Sequence, residues 1–137
     1  MLNKVVARYK DGRLIKGKTN DFSVNKPRFH IEVDSGKSIG VRMEALRSVE
    51  INVDELKAAF FVKDLEGDRR RRDIYEDIIS GGGRKVRVRF FDGEEIIGYA
   101  HSYDPNRLGF FIVPADIKSN NQRIFVVNSA IEKVEFI

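Results

Sequence analysis

The chain has 137 residues, 42% hydrophobic and 34% charged, with 25 Lys and Arg against 21 Asp and Glu for a net charge of +4. That length suits one ordinary domain or two very small ones, and no apolar run approaches the roughly 18 residues of a membrane span. Cysteine is absent, which excludes disulfides and thiolate metal sites; nothing at the N-terminus resembles an export signal, so a cytoplasmic location is expected.

Val5, Ala7 and Tyr9 alternate with other residues at the period of a half-buried strand. Asp11-Gly12 suits a tight hairpin, and Ile15, Gly17 and Thr19 continue the inner face of the returning strand. Further strands are expected at residues 29–33, near 38–43 and at 48–51, with a short turn through Glu44-Ala45-Leu46 before the last. Residues 1–52 then read as one small β-barrel.

Residues 53–83 read as a helical linker. Asp54 can cap a short helix that carries Leu56, Ala59, Phe60 and Lys63 at helical spacing. After Gly67, Asp68 can open a second helix through Ile74, Tyr75, Ile78 and Ile79, which halts at Gly81-Gly82-Gly83.

From residue 84 the first pattern returns. Residues 5–33 overlay 86–114 without a gap at a constant offset of 81, with nine identities that include Asp11/Asp92, Gly12/Gly93, Gly17/Gly98 and Phe29/Phe110. After a longer loop, Val41, Ala45, Leu46, Val49 and Ile51 are matched to Val126, Ala130, Ile131, Val134 and Phe136. Internal repetition of this kind fixes architecture first. The expected fold is mainly β, two tandem five-stranded SH3/Sm-like barrels (1–52 and 84–137) joined by the helical linker.

The copies differ in polarity. Lys10, Lys16, His30 and Glu32 on the outer side of the first become Phe91, Ile97, Phe111 and Val113 in the second. An apolar patch of that size is rarely left in water. The linker helices are its expected cover, and a second chain or a partner protein is the alternative.

Two motif groups carry family resemblances. Gly98-Tyr99-Ala100-His101-Ser102-Tyr103-Asp104 resembles the first motif of the Sm-like barrels, and Val41-Arg42-Met43-Glu44-Ala45-Leu46 and Val126-Val127-Asn128-Ser129-Ala130-Ile131 resemble the second. The resemblance implies a small barrel and, where a base pocket is retained, Tyr103, Asp104, Asn106 and Arg42 as its members; the position of the family's base-binding Asn holds Leu108. Asp104-Pro105-Asn106-Arg107-Leu108-Gly109 resembles the Asp-x-Ser-x-x-Gly motif of PilZ domains, with Lys85 and Arg89 at the spacing of that family's phosphate-binding Arg pair. This second resemblance implies a cyclic dinucleotide as ligand. The stretches at residues 60–67 and 109–116 also resemble an uncharacterised bacterial domain family, which implies a bacterial module and no particular chemistry.

Chemistry is otherwise sparse. Two His without Cys do not make a zinc site. Glu94 and Glu95 are strand neighbours facing opposite sides, so they cannot flank one substrate. The basic run Arg69, Arg70, Arg71 and Arg72, continued by Lys85, Arg87 and Arg89, is a candidate phosphate or nucleic-acid site; Asp68, Asp73, Glu76 and Asp77 flank the run and offer it internal partners. The expected function is a non-enzymatic regulatory module without cofactor. It would bind a protein partner, or a second copy, through Phe91, Ile97, Phe111 and Val113. The alternative is RNA, other nucleic acid or a cyclic dinucleotide held by the basic segment with Tyr103, Asp104 and Asn106. No membrane contact is expected.

Overall fold

The computed structural model describes residues 3–33, 48–63, 83–116 and 119–137. The first half contributes β1 (Asn3–Tyr9), β2 (Leu14–Thr19), β3 (Arg28–Val33), β4 (Ser48–Asn52), a 3-10 turn at Val53–Glu55, and β5 (Leu56–Val62). The second contributes β6 (Arg84–Phe90), β7 (Glu95–Ala100), β8 (Gly109–Pro114), β9 (Asn121–Val127), a 3-10 turn at Asn128–Ala130, and β10 (Ile131–Phe136). The mainly β reading holds.

Local chemistry explains the hairpins. Gly12 and Gly93 both sit at φ 95°, a region open to Gly at little cost, and Tyr9 and Phe90 donate to the carbonyls of Arg13 and Glu94 across the two turns. Gly17 and Gly98 answer a closer constraint. A Cβ at Gly17 would lie 2.0 Å from the Glu32 carbonyl oxygen, and one at Gly98 would lie 2.4 Å from that of Val113. The strand that follows therefore passes too near for any side chain.

All ten strands form one antiparallel sheet in the order β10-β6-β7-β8-β9-β5-β1-β2-β3-β4. Each half thus reads fifth, first, second, third, fourth strand. The halves meet where β5 pairs with β9, through Ala58↔Val126, Ala59↔Phe125, Phe60↔Ile124 and Phe61↔Arg123. The sheet is not closed. Among the described residues, β10 and β4 each pair on one side only.

Three expectations need correction. Two separate barrels give way to one continuous sheet. The helix expected from Asp54 to Lys63 is instead a 3-10 turn, with Asn52 Oδ1 accepting from the Asp54 N–H, followed by β5. All seven β5 residues, Leu-Lys-Ala-Ala-Phe-Phe-Val, are buried, as a strand enclosed on both faces requires. Six apolar residues of seven also satisfy a helical period, and this hid the strand. Finally, residues 48–51 are not the closing strand. Ile51 stands opposite Phe29 as Val126 stands opposite Phe110, so the correct offset for the tail is 75, and β5 is the strand that matches β10. The strand and turn expected at 38–46 and the second linker helix lie outside the described residues.

The described residues form two cores. Val5, Ala7, Tyr9, Ile15, Phe29, Ile31, Ile51, Val53 and Leu56 form one, which Phe125 and Val127 enter from β9. Val86, Val88, Phe90, Phe110, Ile112, Ile124 and Val126 form the other, which Ala58, Phe60 and Val62 enter from β5. Each half completes the core of its neighbour.

Candidate functional site

The junction between the halves carries a cleft of about 110 Å³ lined by Lys10, Lys57, Phe90, Phe91, Asp92, Ser129 and Ala130. One of its lining residues, Lys57, sits at a bulge. Tyr9 pairs with Leu56 and Arg8 with Ala58, so Lys57 is the extra residue of β5 and is aimed out of the ladder. The Lys57 side chain, only 8% exposed, bonds to Asp92 Oδ2 at 2.7 Å and to Glu94 Oε1 across the β6–β7 turn. Its Nζ lies 4.9 Å from the Phe90 ring centroid.

Burial alone would pull the Lys57 ammonium down, but the bonds from Asp92 and Glu94 outweigh it and raise its pKa above 10.5. A lysine so held is a fixed cation rather than a nucleophile or base near neutral pH. The Asp92 carboxyl is held below its ordinary value, first by the Lys57 hydrogen bond and then by the Glu94 N–H. Lys10 Nζ donates to the Asp54 carbonyl at 2.8 Å and to Ser129 Oγ at 2.7 Å, a second tie from the first half to the second.

Phe91 stands above this cleft, 70% exposed. Its N–H donates to the Ala130 carbonyl at 3.1 Å, and the turn behind it is held by Gly93 and by the Lys57–Asp92 pair. The phenyl ring is therefore presented on a backbone fixed on both sides.

The other three residues of the expected apolar face have different surroundings. Ile97 is 40% exposed, and Val113 is partly buried opposite Tyr99. Phe111 is covered: its ring lies 5.8 Å from Phe22 and from Phe61 and 5.2 Å from Phe125, with the Arg123 guanidinium 4.5 Å above it. Its cover thus comes from both halves, Phe22 and Phe61 of the first and Phe125 and Arg123 of the second, and Phe61 lies on a strand from the segment read as linker. Phe91 is thus exposed, whereas Phe111 is packed against the first core.

The candidate phosphate-binding residues are also dispersed. Arg89 pairs with Glu95 at 2.7 Å, and Arg87 lies 4.0 Å from Glu95 and 3.7 Å from Glu135, so acids of the same face neutralise both. Lys85 is exposed, its carbonyl taken by the Ile137 N–H. Tyr103 sets its ring edge-on to Phe110 at 4.8 Å and to Phe136 at 5.6 Å, and the Arg84 guanidinium lies 4.1 Å from the Phe136 centroid. Asp104 accepts from the Asn106 N–H at 2.9 Å and approaches Arg107 at 3.4 Å, while Asn128 Nδ2 donates to the carbonyls of Asp104 and Arg107. Asp104 and Asn106 thus build the β7–β8 loop. Arg69, Arg70, Arg71 and Arg72 lie outside the described residues, as does Arg42. Among the described residues no group of three or more His, Asp and Glu could hold a metal, and no helix is long and apolar enough to cross a membrane.

Sequence reasoning missed Lys57, Lys10 and Ser129. The usable signal was the tail offset of 75. It matches Lys57 to Glu132, where Ile131↔Phe90 and Lys133↔Arg89 leave the same bulge, and it places residues 53–55 and 128–130 as one repeated turn.

The model of a family of unknown function, DUF6982, matches residues 1–137, and the chain belongs to that family. No curated protein and no solved structure matches it.

Proposed function

We propose that the chain is a non-enzymatic interaction module, made of two copies of a small SH3/Sm-like unit, that holds a protein partner in the cytoplasm at the hairpin tip bearing Phe91. The observation that carries this reading is the exposed Phe91 ring on a fixed backbone beside the junction cleft. Aromatic anchors next to small pockets dominate the energetics of protein contacts, and a pre-ordered anchor loses little entropy on docking. At about 110 Å³ the cleft is well under the roughly 300–1,000 Å³ of small-molecule sites; it suits one partner side chain. A photo-crosslinking amino acid at Phe91, compared with one at its counterpart Lys10, tests the reading in cells. A discrete protein adduct from position 91 alone is expected; identical adduct patterns from both positions, or none from either, would refute it.

A second reading rests on a different observation, the Arg84 guanidinium stacked on Phe136 beside the exposed Tyr103. Arg planes and aromatic rings offer stacking surfaces to bases, and Lys85 adds charge. Salt-sensitive binding of a single-stranded oligonucleotide or cyclic dinucleotide that is lost in Arg84→Ala/Lys85→Ala would establish it. Binding unchanged by that double substitution, or no binding at low salt, would dismiss it.

A further inference from the structure

We infer that the contact joining the two halves is a head-to-tail self-assembly contact, which the chain uses once and blocks at both ends with polar side chains. The inference goes beyond the Phe91 surface and does not depend on it.

The pairing registers make the comparison position by position. Against equivalent residues of β1 and β6, Ala58 and Phe60 of β5 match Lys133 and Glu135 of β10. Against β3 and β8, Phe125 and Val127 of β9 match Glu50 and Asn52 of β4. The β5·β9 contact is heterologous: the fifth strand of one unit meets the fourth strand of the other. Such a contact leaves one unused copy of each surface at the ends of the array, and repetition would yield rings or open chains. Among the described residues the unused fifth strand is β10 and the unused fourth strand is β4.

At the junction, Ala58, Phe60, Phe125 and Val127 each enter the neighbouring half's core. At the ends, the same positions are polar: Lys133, Glu135 and Glu50 carry charged groups, and Asn52 Oδ1 accepts from the Asp54 N–H. Glu135 meets Arg87 at 3.7 Å and Lys133 at 3.4 Å, and Glu50 lies 3.9 Å from the His30 imidazole. A second copy docking β4 onto β10 in the β5·β9 register would carry Lys133, Glu135, Glu50 and Asn52 into apolar interiors. Burying charges without matched partners is strongly unfavourable, and charge on outward positions is a recognised way to stop edge-to-edge growth. The occupant for which these edges are shaped, and which they refuse, is another copy of this chain.

Two single-ended variants test this. Glu50→Phe/Asn52→Val unblocks the β4 end, and Lys133→Ala/Glu135→Phe unblocks the β10 end. By light scattering after gel filtration, each alone keeps the mass of the wild type, because its unblocked surface still meets a blocked one. Their equimolar mixture gives a species of twice that mass and stops there, whereas all four substitutions in one chain give assemblies that grow with concentration. Circular dichroism checks folding, and Glu50→Val alone replaces the β4 variant should that one unfold. The inference fails if folded mixtures stay at the wild-type mass, or if either variant alone associates as strongly as the mixture, which would be unspecific stickiness.

Discussion

Phe22 and Tyr103 occupy the same place in the two halves, 81 positions apart. Each ring packs against the same matched pair, Phe29 and Phe61 for Phe22, Phe110 and Phe136 for Tyr103. What differs is the neighbour. Phe111 and Phe125 of the second half complete the cluster around Phe22; at the other cluster the chain supplies the Arg84 guanidinium, and Tyr103 and Phe136 remain 36% and 38% exposed. The same local geometry is therefore core at the junction and surface at the free edge. Polarity in this chain follows position in the sheet order more closely than it follows the local strand pattern.

The sharpest way to break that comparison is to remove the same ring from each half. Phe61→Ala, in a fully buried site, should cost about 3–5 kcal/mol in urea unfolding. Phe136→Ala, its half-exposed counterpart at the edge, should cost only about 1 kcal/mol. Equal losses would mean that the two environments do not differ as described. The bulge residues give a smaller contrast. Lys57→Met strips the bonds that tie β5 to the β6–β7 turn and should destabilise by about 1–3 kcal/mol, against less than about 0.5 kcal/mol for Glu132→Gln at the matching surface position.

The same tie predicts a pH window. The Asp92 pKa is lowered from 3.8, so its contribution is complete above that value and is lost as pH falls through its folded pKa. The Lys57 pKa is raised from 10.5, so its contribution is complete below that value and is lost as pH rises through its folded pKa. Between the two, stability from this tie is flat. In Lys57→Met the acid-side fall below pH 3.8 should be shallower than in the wild type; unfolding titrations at pH 2–5 check this, and superimposable curves would remove the tie from the account. The smallest effect is expected at Phe91. Its ring is exposed, so Phe91→Ala should change stability in urea unfolding by no more than about 0.5 kcal/mol.

Much of this was legible in the residues. The 81-residue offset gave six of the strands and both hairpin turns, because alternation, Asp-Gly and the obligatory Gly17 and Gly98 are local signals. The exchange of His30 for Phe111 was also visible, yet its cause was not. Phe111 is apolar because Phe22 and Phe61 cover it, a contact between residues about 50 to 90 positions apart that no local window contains. The strand β5 was misread for a related reason: burial on both faces erases the alternation that marks a strand. Lys57 was passed over because a lysine at a bulge has the same sequence signature as one on a helix surface.

Amide hydrogen exchange resolved along the chain tests the central claim most directly. If β5 is an inner strand joining two halves, the amides of residues 58–61 should be among the slowest to exchange, at least about 100-fold slower on average than those of the matching residues 133–136 in β10. Exchange in β5 as fast as in β10 would contradict the account.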